Sequence, residues 1–218
     1  MSNIISFSLW GNNPKYNIGA IRNVELSISI YKDWNIRFYI GDNVPSQTIS
    51  ALEKFDHVEI VYEKGDTNWT ALFWRFKAIF DCDADVVVFR DTDSRLNLRE
   101  KSAVDDWLAG DKTVHIMRDH PYHNFPILGG MWGYRKNSKY DFKHMLETFC
   151  AGEAVDAYGT DYTFLGGVLL PALNDDICVH DPFFWGIPFP TDRIDKGFVG
   201  EVFDEHDIRH PEHWKYIP

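Results

Sequence analysis

Two aspartates one residue apart, Asp91 and Asp93, end the run Val-Val-Val-Phe-Arg that begins at Val86. The run is short, apolar and β-branched, which predicts a buried strand. Its polar end falls at the edge of a sheet, where α/β proteins place their ligands. Two carboxylates there form a hard-oxygen site suited to Mn²⁺ or Mg²⁺. Such a cation can hold the phosphates of a nucleotide. Sixteen residues earlier, Arg75 lies between Trp74 and Phe76. A guanidinium in apolar company needs a defined partner, although a surface ion pair also answers the pattern. Gly129 and Gly130 interrupt an apolar stretch. They permit either a close ligand approach or tight sheet packing.

The segments around these residues alternate in period. Residues 4–9 read as a strand, and Gly11 to Lys15 as a polar turn. Apolar residues at Ile21, Val24, Leu26, Ile28 and Tyr31 predict a helix over 18–31. Strands follow at 35–40 and 58–62, separated by a helix at 46–55. A helix over 69–80 then leads to the strand at 86–89. Four strands alternating with three helices predict a mostly parallel sheet joined by right-handed crossovers. Further along, the pattern gives helices at 100–108, 140–150 and 161–170, strands at 113–117 and 127–134, and a short strand before His180. The last forty residues, rich in Pro, Gly and aromatics, read as irregular. No repeat or linker divides the 218 residues, so one domain over 1–218 is expected.

Composition narrows the function. Apolar residues make up 44% of the chain, enough for a substantial core. A net charge of -11 disfavours binding to nucleic acid, which needs basic surface. Cys82, Cys150 and Cys178 are odd in number and contain no CxxC pair, so neither a disulfide framework nor a zinc knuckle is expected. That composition suits a reducing, cytoplasmic setting. The first residues lack the basic and apolar regions of a signal peptide. No stretch is long enough to span a membrane, which leaves room only for peripheral contact. GxGxxG, GxxxxGK[ST] and GxSxG are absent, which argues against dinucleotide, P-loop and serine-hydrolase chemistry.

Phe89-Arg90-Asp91-Thr92-Asp93 resembles the DXD signature of GT-A fold glycosyltransferases, single Rossmann-like α/β domains with a mostly parallel central sheet flanked by helices. The resemblance runs from the first strand to about Arg193. It implies transfer of a sugar from a nucleotide-sugar, most simply UDP-linked, to a hydroxyl of a saccharide acceptor. It further implies that Asp93 binds Mn²⁺ or Mg²⁺ directly, that Asp91 is a second ligand or a ribose contact, with Thr92 beside the donor, and that the late histidine His180 completes the metal site. The usual His-X-X-Gly-X-X-Lys is not reproduced after His180, and its lysine role passes to Arg193 or Lys196. By the same resemblance Arg75 reaches the donor sugar or phosphates, and Asp119 bonds sugar hydroxyls. Gly129 and Gly130 lie under the sugar. Asp161 faces the reacting centre or simply caps a helix. Tyr162 replaces the glutamine that usually follows. Leu9, Trp10, Gly11 and Tyr16 stand where the nucleotide is recognised. The histidine and the acidic motif lean toward retention, as in the galactosyltransferase and glycogenin-like branch. The alternatives are a nucleotidyltransferase that makes nucleotide-sugars and a noncatalytic sugar-binding relative.

Overall fold

A computed structural model describes residues 2–65 and 67–217, so the outermost residues of the expected 1–218 domain lie outside the described residues. Its sheet has seven strands: β1 (Asn3–Leu9), β2 (Asn35–Gly41), β3 (Val58–Glu63), β4 (Val86–Arg90), β5 (Val114–Met117), β6 (Met131–Arg135) and β7 (Ile177–His180). Their spatial order is β3-β2-β1-β4-β6-β5-β7. The first four strands are parallel, as their alternation with helices predicts. β6 is not. It enters antiparallel between β4 and β5, while β5 and β7 pair in parallel. The chain thus reverses its direction of winding at the β1–β4 junction. The loops after these two strands diverge there and open a crevice at their carboxyl ends.

Helix α1 (Pro14–Ile30) begins earlier than its apolar spacing suggests. Asn13 caps it by accepting a hydrogen bond from the Lys15 amide at 3.0 Å, and Pro14 sits in the first turn. There the fixed φ of proline suits a helix and its missing N–H is not needed. The presumed polar turn is therefore partly helix. α1 fixes the loop after β4. A Cβ on Gly19 would lie 2.0 Å from the Thr92 carbonyl oxygen, so only glycine allows this approach. The Asn23 amide donates to the Ser94 carbonyl at 2.9 Å and accepts from the Leu96 amide at 3.0 Å.

Residues Trp69–Ile79 wind as a 3-10 helix rather than the expected α-helix. β1 grips this segment through two buried serines. Ser6 donates to the Arg75 carbonyl at 2.8 Å, and the Arg75 amide donates to Ser8 at 3.0 Å. Phe76 packs edge-on against Phe89 and Trp132, which stack on each other 4.3 Å apart. That aromatic layer belongs to one apolar core. A second core forms where α1 meets β1, β2 and β4. Helices α2 (Ser46–Leu52), α3 (Leu98–Ala109) and α4 (Phe142–Gly152) complete the flanks. The helix expected over 161–170 is broken into α5 (Thr160–Phe164), a π-helical turn at Leu165–Leu169 and α6 (Leu170–Leu173). No helix among the described residues is long and apolar enough to cross a membrane.

Candidate active site

A cavity of about 770 Å³ opens at the crevice between β1 and β4. Its floor is built from three charged side chains brought together from distant positions. Arg75 is 2% exposed. One of its terminal nitrogens donates to Asp91 and the other to Asp161 at 2.9 Å. The guanidinium fork thus holds two carboxylates that would repel each other if left unpaired. The residues before β6 close this floor from below. A Cβ on Gly129 would lie 1.8 Å from Asp161 Oδ2, and one on Gly130 would lie 2.0 Å from Asp91 Oδ2. The two glycines therefore sit under the carboxylates, and what approaches them closely is the side chains of Asp161 and Asp91. Asp161 stands in the first turn of α5 but does not cap it: the N-cap is Gly159, in the left-handed region.

Asp93 also lines the cavity and pairs with Lys15 at 2.7 Å. Burial, then the neighbouring charge of Asp91, holds the Asp93 carboxyl above its ordinary range, with Lys15 opposing both. Burial likewise raises the Asp161 carboxyl against the pull of Arg75. The strand that carries the pair is anchored behind the site. Arg90 donates to Glu100 at 2.7 Å, and the Tyr31 hydroxyl donates to the same oxygen at 2.7 Å.

Leu9, Trp10, Gly11 and Tyr16 line one wall, together with Thr92 and Asp93. The opposite wall is aromatic. Trp69 meets Tyr158 edge-on at 5.2 Å, and Phe125 lies 4.6 Å from Tyr162. Gly200 and Val202 close the cavity from the C-terminal segment. Val202 bridges to Ser94, and the Phe203 amide donates to the Asp93 carbonyl at 2.9 Å.

Five expected site residues do not line this cavity: Gly129, which lies beneath the carboxylates, and His180, Asp119, Arg193 and Lys196. His180 lies level with Met117, on the far side of β6 and β5. Three strand spacings separate β7 from β4, about 14 Å. Its ring faces His115 and Asp106 instead of the aspartate pair. It therefore does not complete a metal site with Asp91 and Asp93. Asp119 is fully buried and saturated: it accepts from Arg99 at 2.8 Å, from Arg193 at 2.5 Å and from the Val199 amide at 3.0 Å. Arg193 is thereby engaged by Asp119, and neither lines the cavity. Lys196 donates to the Ile217 carbonyl at 3.1 Å.

Lys15, Gly19, Asn23, Gly200 and, from the aromatic wall, Trp69 and Phe125 were not singled out by sequence, whereas Tyr162 was, as the replacement for a glutamine. Gly19 and Asn23 left one trace, as a glycine and an amide on the apolar face of α1.

No family model matches the sequence, and no curated protein matches it either. Solved structures do resemble it. One is a glycosyltransferase involved in glycosylation of the major capsid of PBCV-1, 16% identical, with a TM-score of 0.56 over 84% of this chain and 82% of that one. Another is 4-diphosphocytidyl-2C-methyl-D-erythritol synthase from Anaerococcus prevotii, 13% identical, with a TM-score of 0.53 over 88% and 92% of the two chains. A third is a mannosyltransferase from Pyrobaculum calidifontis, solved in complex with GDP-Man and Mn²⁺. It is 15% identical, with a TM-score of 0.51 over 85% of this chain and 58% of that one. At such identities the likeness is one of fold, and the chain has the GT-A fold.

Proposed function

We propose that this chain is a glycosyltransferase that moves a sugar from a nucleoside diphosphate, most simply UDP, to a hydroxyl of a saccharide acceptor. The observation that carries the reading is the Asp91–Arg75–Asp161 cluster at the bottom of a cavity large enough for a nucleotide-sugar. A divalent cation fits the residues present. Asp91 and Asp93 are hard-oxygen donors on one turn, and a cation would relieve the burial and the neighbouring Asp91 charge that together raise Asp93. These two side chains would hold it, with substrate phosphates filling other positions. When bound, it supplies Lewis-acid stabilisation of the leaving diphosphate.

The chain's own residues do the rest. Lys15 places a positive charge beside the phosphates. Arg75 acts as a positioning residue, since both terminal nitrogens are spent on the carboxylates. Asp161 faces the sugar from the floor. In the reaction the anomeric carbon–oxygen bond to the diphosphate breaks, a bond to the acceptor oxygen forms, and the acceptor proton passes to the leaving phosphate. That same-face route gives retention. Trp69, Tyr158 and Phe125 offer apolar faces on which an acceptor sugar ring can lie.

Release of UDP from UDP-hexoses with Mn²⁺, measured with and without a saccharide acceptor, tests the proposal. Asp93→Asn is expected to lower turnover by about 100-fold or more while leaving the thermal midpoint near wild type. Undiminished turnover in chelator or in the variant would overturn the metal role. A second reading, nucleotidyl transfer, is favoured by the likeness to the diphosphocytidyl-methylerythritol synthase. Pyrophosphate released from a nucleoside triphosphate and a sugar phosphate would establish it instead.

A further inference from the structure

The far edge of the sheet holds a second cluster that the proposed reaction does not use. His115 on β5 pairs in register with Cys178 on β7, and His180 follows two residues later on the same face. His115 Nε2 and His180 Nδ1 stand 2.9 Å apart, although the two residues are 65 apart in sequence. One ligand atom from each of His115, Cys178 and His180 falls within 4.8 Å of the others. His115 is 0% and His180 4% exposed, while Cys178 is half-buried, so the cluster is walled by protein and open on its thiol side. Trp107 stacks on His115 at 5.3 Å and fixes its ring plane. None of the three residues lines the cavity described above.

We propose that His115, Cys178 and His180 form a zinc-binding site, with Asp106 orienting His180 from behind. Two imidazoles and a thiolate are the mixed donors that zinc prefers, and a fourth position is left for water. Tetrahedral zinc would set the two nitrogens about 3.3 Å apart, so the rings need open only slightly. Asp106 Oδ2 lies 3.3 Å from His180 Nε2, the outer nitrogen when Nδ1 is the ligand. A carboxylate behind a metal-bound histidine holds its tautomer and raises its basicity. Protons balance simply. Cys178 releases its proton to solvent, and the proton shared between His115 Nε2 and His180 Nδ1 moves to the outer nitrogen of its ring. The thiolate is the ligand form, so the metal must displace the Cys178 proton. The site would clamp the edge strand β7 to β5 and α3. Sequence spacing hides it, because its ligands come from two strands and contain no cysteine pair.

Cobalt is the first probe. The metal-free protein titrated with Co²⁺ in excess Mg²⁺, which fills hard-oxygen sites, is expected to show a thiolate-to-cobalt charge-transfer band that saturates at one equivalent. Zinc should displace the cobalt. With zinc held about a hundredfold above its dissociation constant, the unfolding midpoint should rise by about 5–10 °C. Cys178→Ser should remove the band and His180→Ala the stoichiometric binding, while Asp106→Asn should weaken affinity about 10–100-fold. Asp93→Asn should bind zinc as wild type does, which separates this site from the cavity. Absence of the band in wild type would overturn the proposal without relying on any variant. So would unchanged binding in Cys178→Ser.

Discussion

Arg75 is the side chain on which the cavity floor depends. Its two carboxylate partners come from the loop after β4 and from α5, so one guanidinium sets the distance between two separate parts of the chain. Replacing it with alanine would leave Asp161 buried and unpaired, at a cost of about 3–5 kcal/mol. Arg75→Lys poses the sharper question. Lysine keeps the charge but has a single point of attachment and cannot fork. The variant is expected to fold, to lose about 100-fold in turnover and to change little in KM, since a small displacement of reacting groups costs that much. Urea unfolding and steady-state kinetics together read this out, and a purely structural role would lower stability with turnover intact. Arg75 was visible in sequence because a charge among aromatics demands a partner, and Asp91 and Asp93 because they end a buried strand abruptly. Lys15 and Asn23 were not, because their partners lie some seventy residues away and only the fold brings them together.

Period and length gave the first four strands their places to within a residue or so. They could not give the direction of β6, because an antiparallel strand between covered neighbours is as apolar as a parallel one. That insertion moves β7 to the sheet edge and takes His180 away from the aspartates. Helical period over eleven residues likewise could not separate the 3-10 winding of Trp69–Ile79 from an α-helix. The loop between β5 and β6 makes a testable contribution of its own. His123 accepts a hydrogen bond from the Asp119 amide at 3.1 Å. Burial of its ring, followed by the charges of His120, His213 and Arg118, lowers its pKa to about 3. The unfolded chain binds this proton near 6.5, the native chain only near 3. Between those values the unfolded state therefore holds more protons, and stability rises with pH. The contribution is present above about 6.5 and is lost as the pH falls toward 3. His123→Asn can still accept the amide bond but does not titrate. Urea midpoints measured across this range should show a shallower acid decline in the variant, by about one proton. An unchanged slope would mean that His123 titrates normally.

Viewed across the whole molecule, the cavity is lined by six separate stretches of the chain, and the last of them is anchored at its start by one buried acid. Asp119 follows β5 and binds Arg99 of α3, Arg193 and the Val199 amide. The C-terminal segment runs on from Val199 through Gly200 and Val202, which line the cavity, to Phe203, which bonds the Asp93 carbonyl. A carboxylate under two guanidinium groups thus pins the segment that closes the cavity above the Asp91–Asp93 loop. Asp119→Asn would keep the shape and remove the charge, leaving both cations without compensation. A loss of about 3–5 kcal/mol is expected, together with faster amide exchange across residues 198–203 and a higher KM for the nucleotide-sugar. Turnover at saturation should fall less, because Asp119 does not touch the cavity. A direct role for Asp119 on sugar hydroxyls predicts the reverse pattern: amide exchange as in wild type, with turnover lost. The two patterns differ because a buried clamp acts through the segment it holds, whereas a substrate contact acts only once the substrate has arrived.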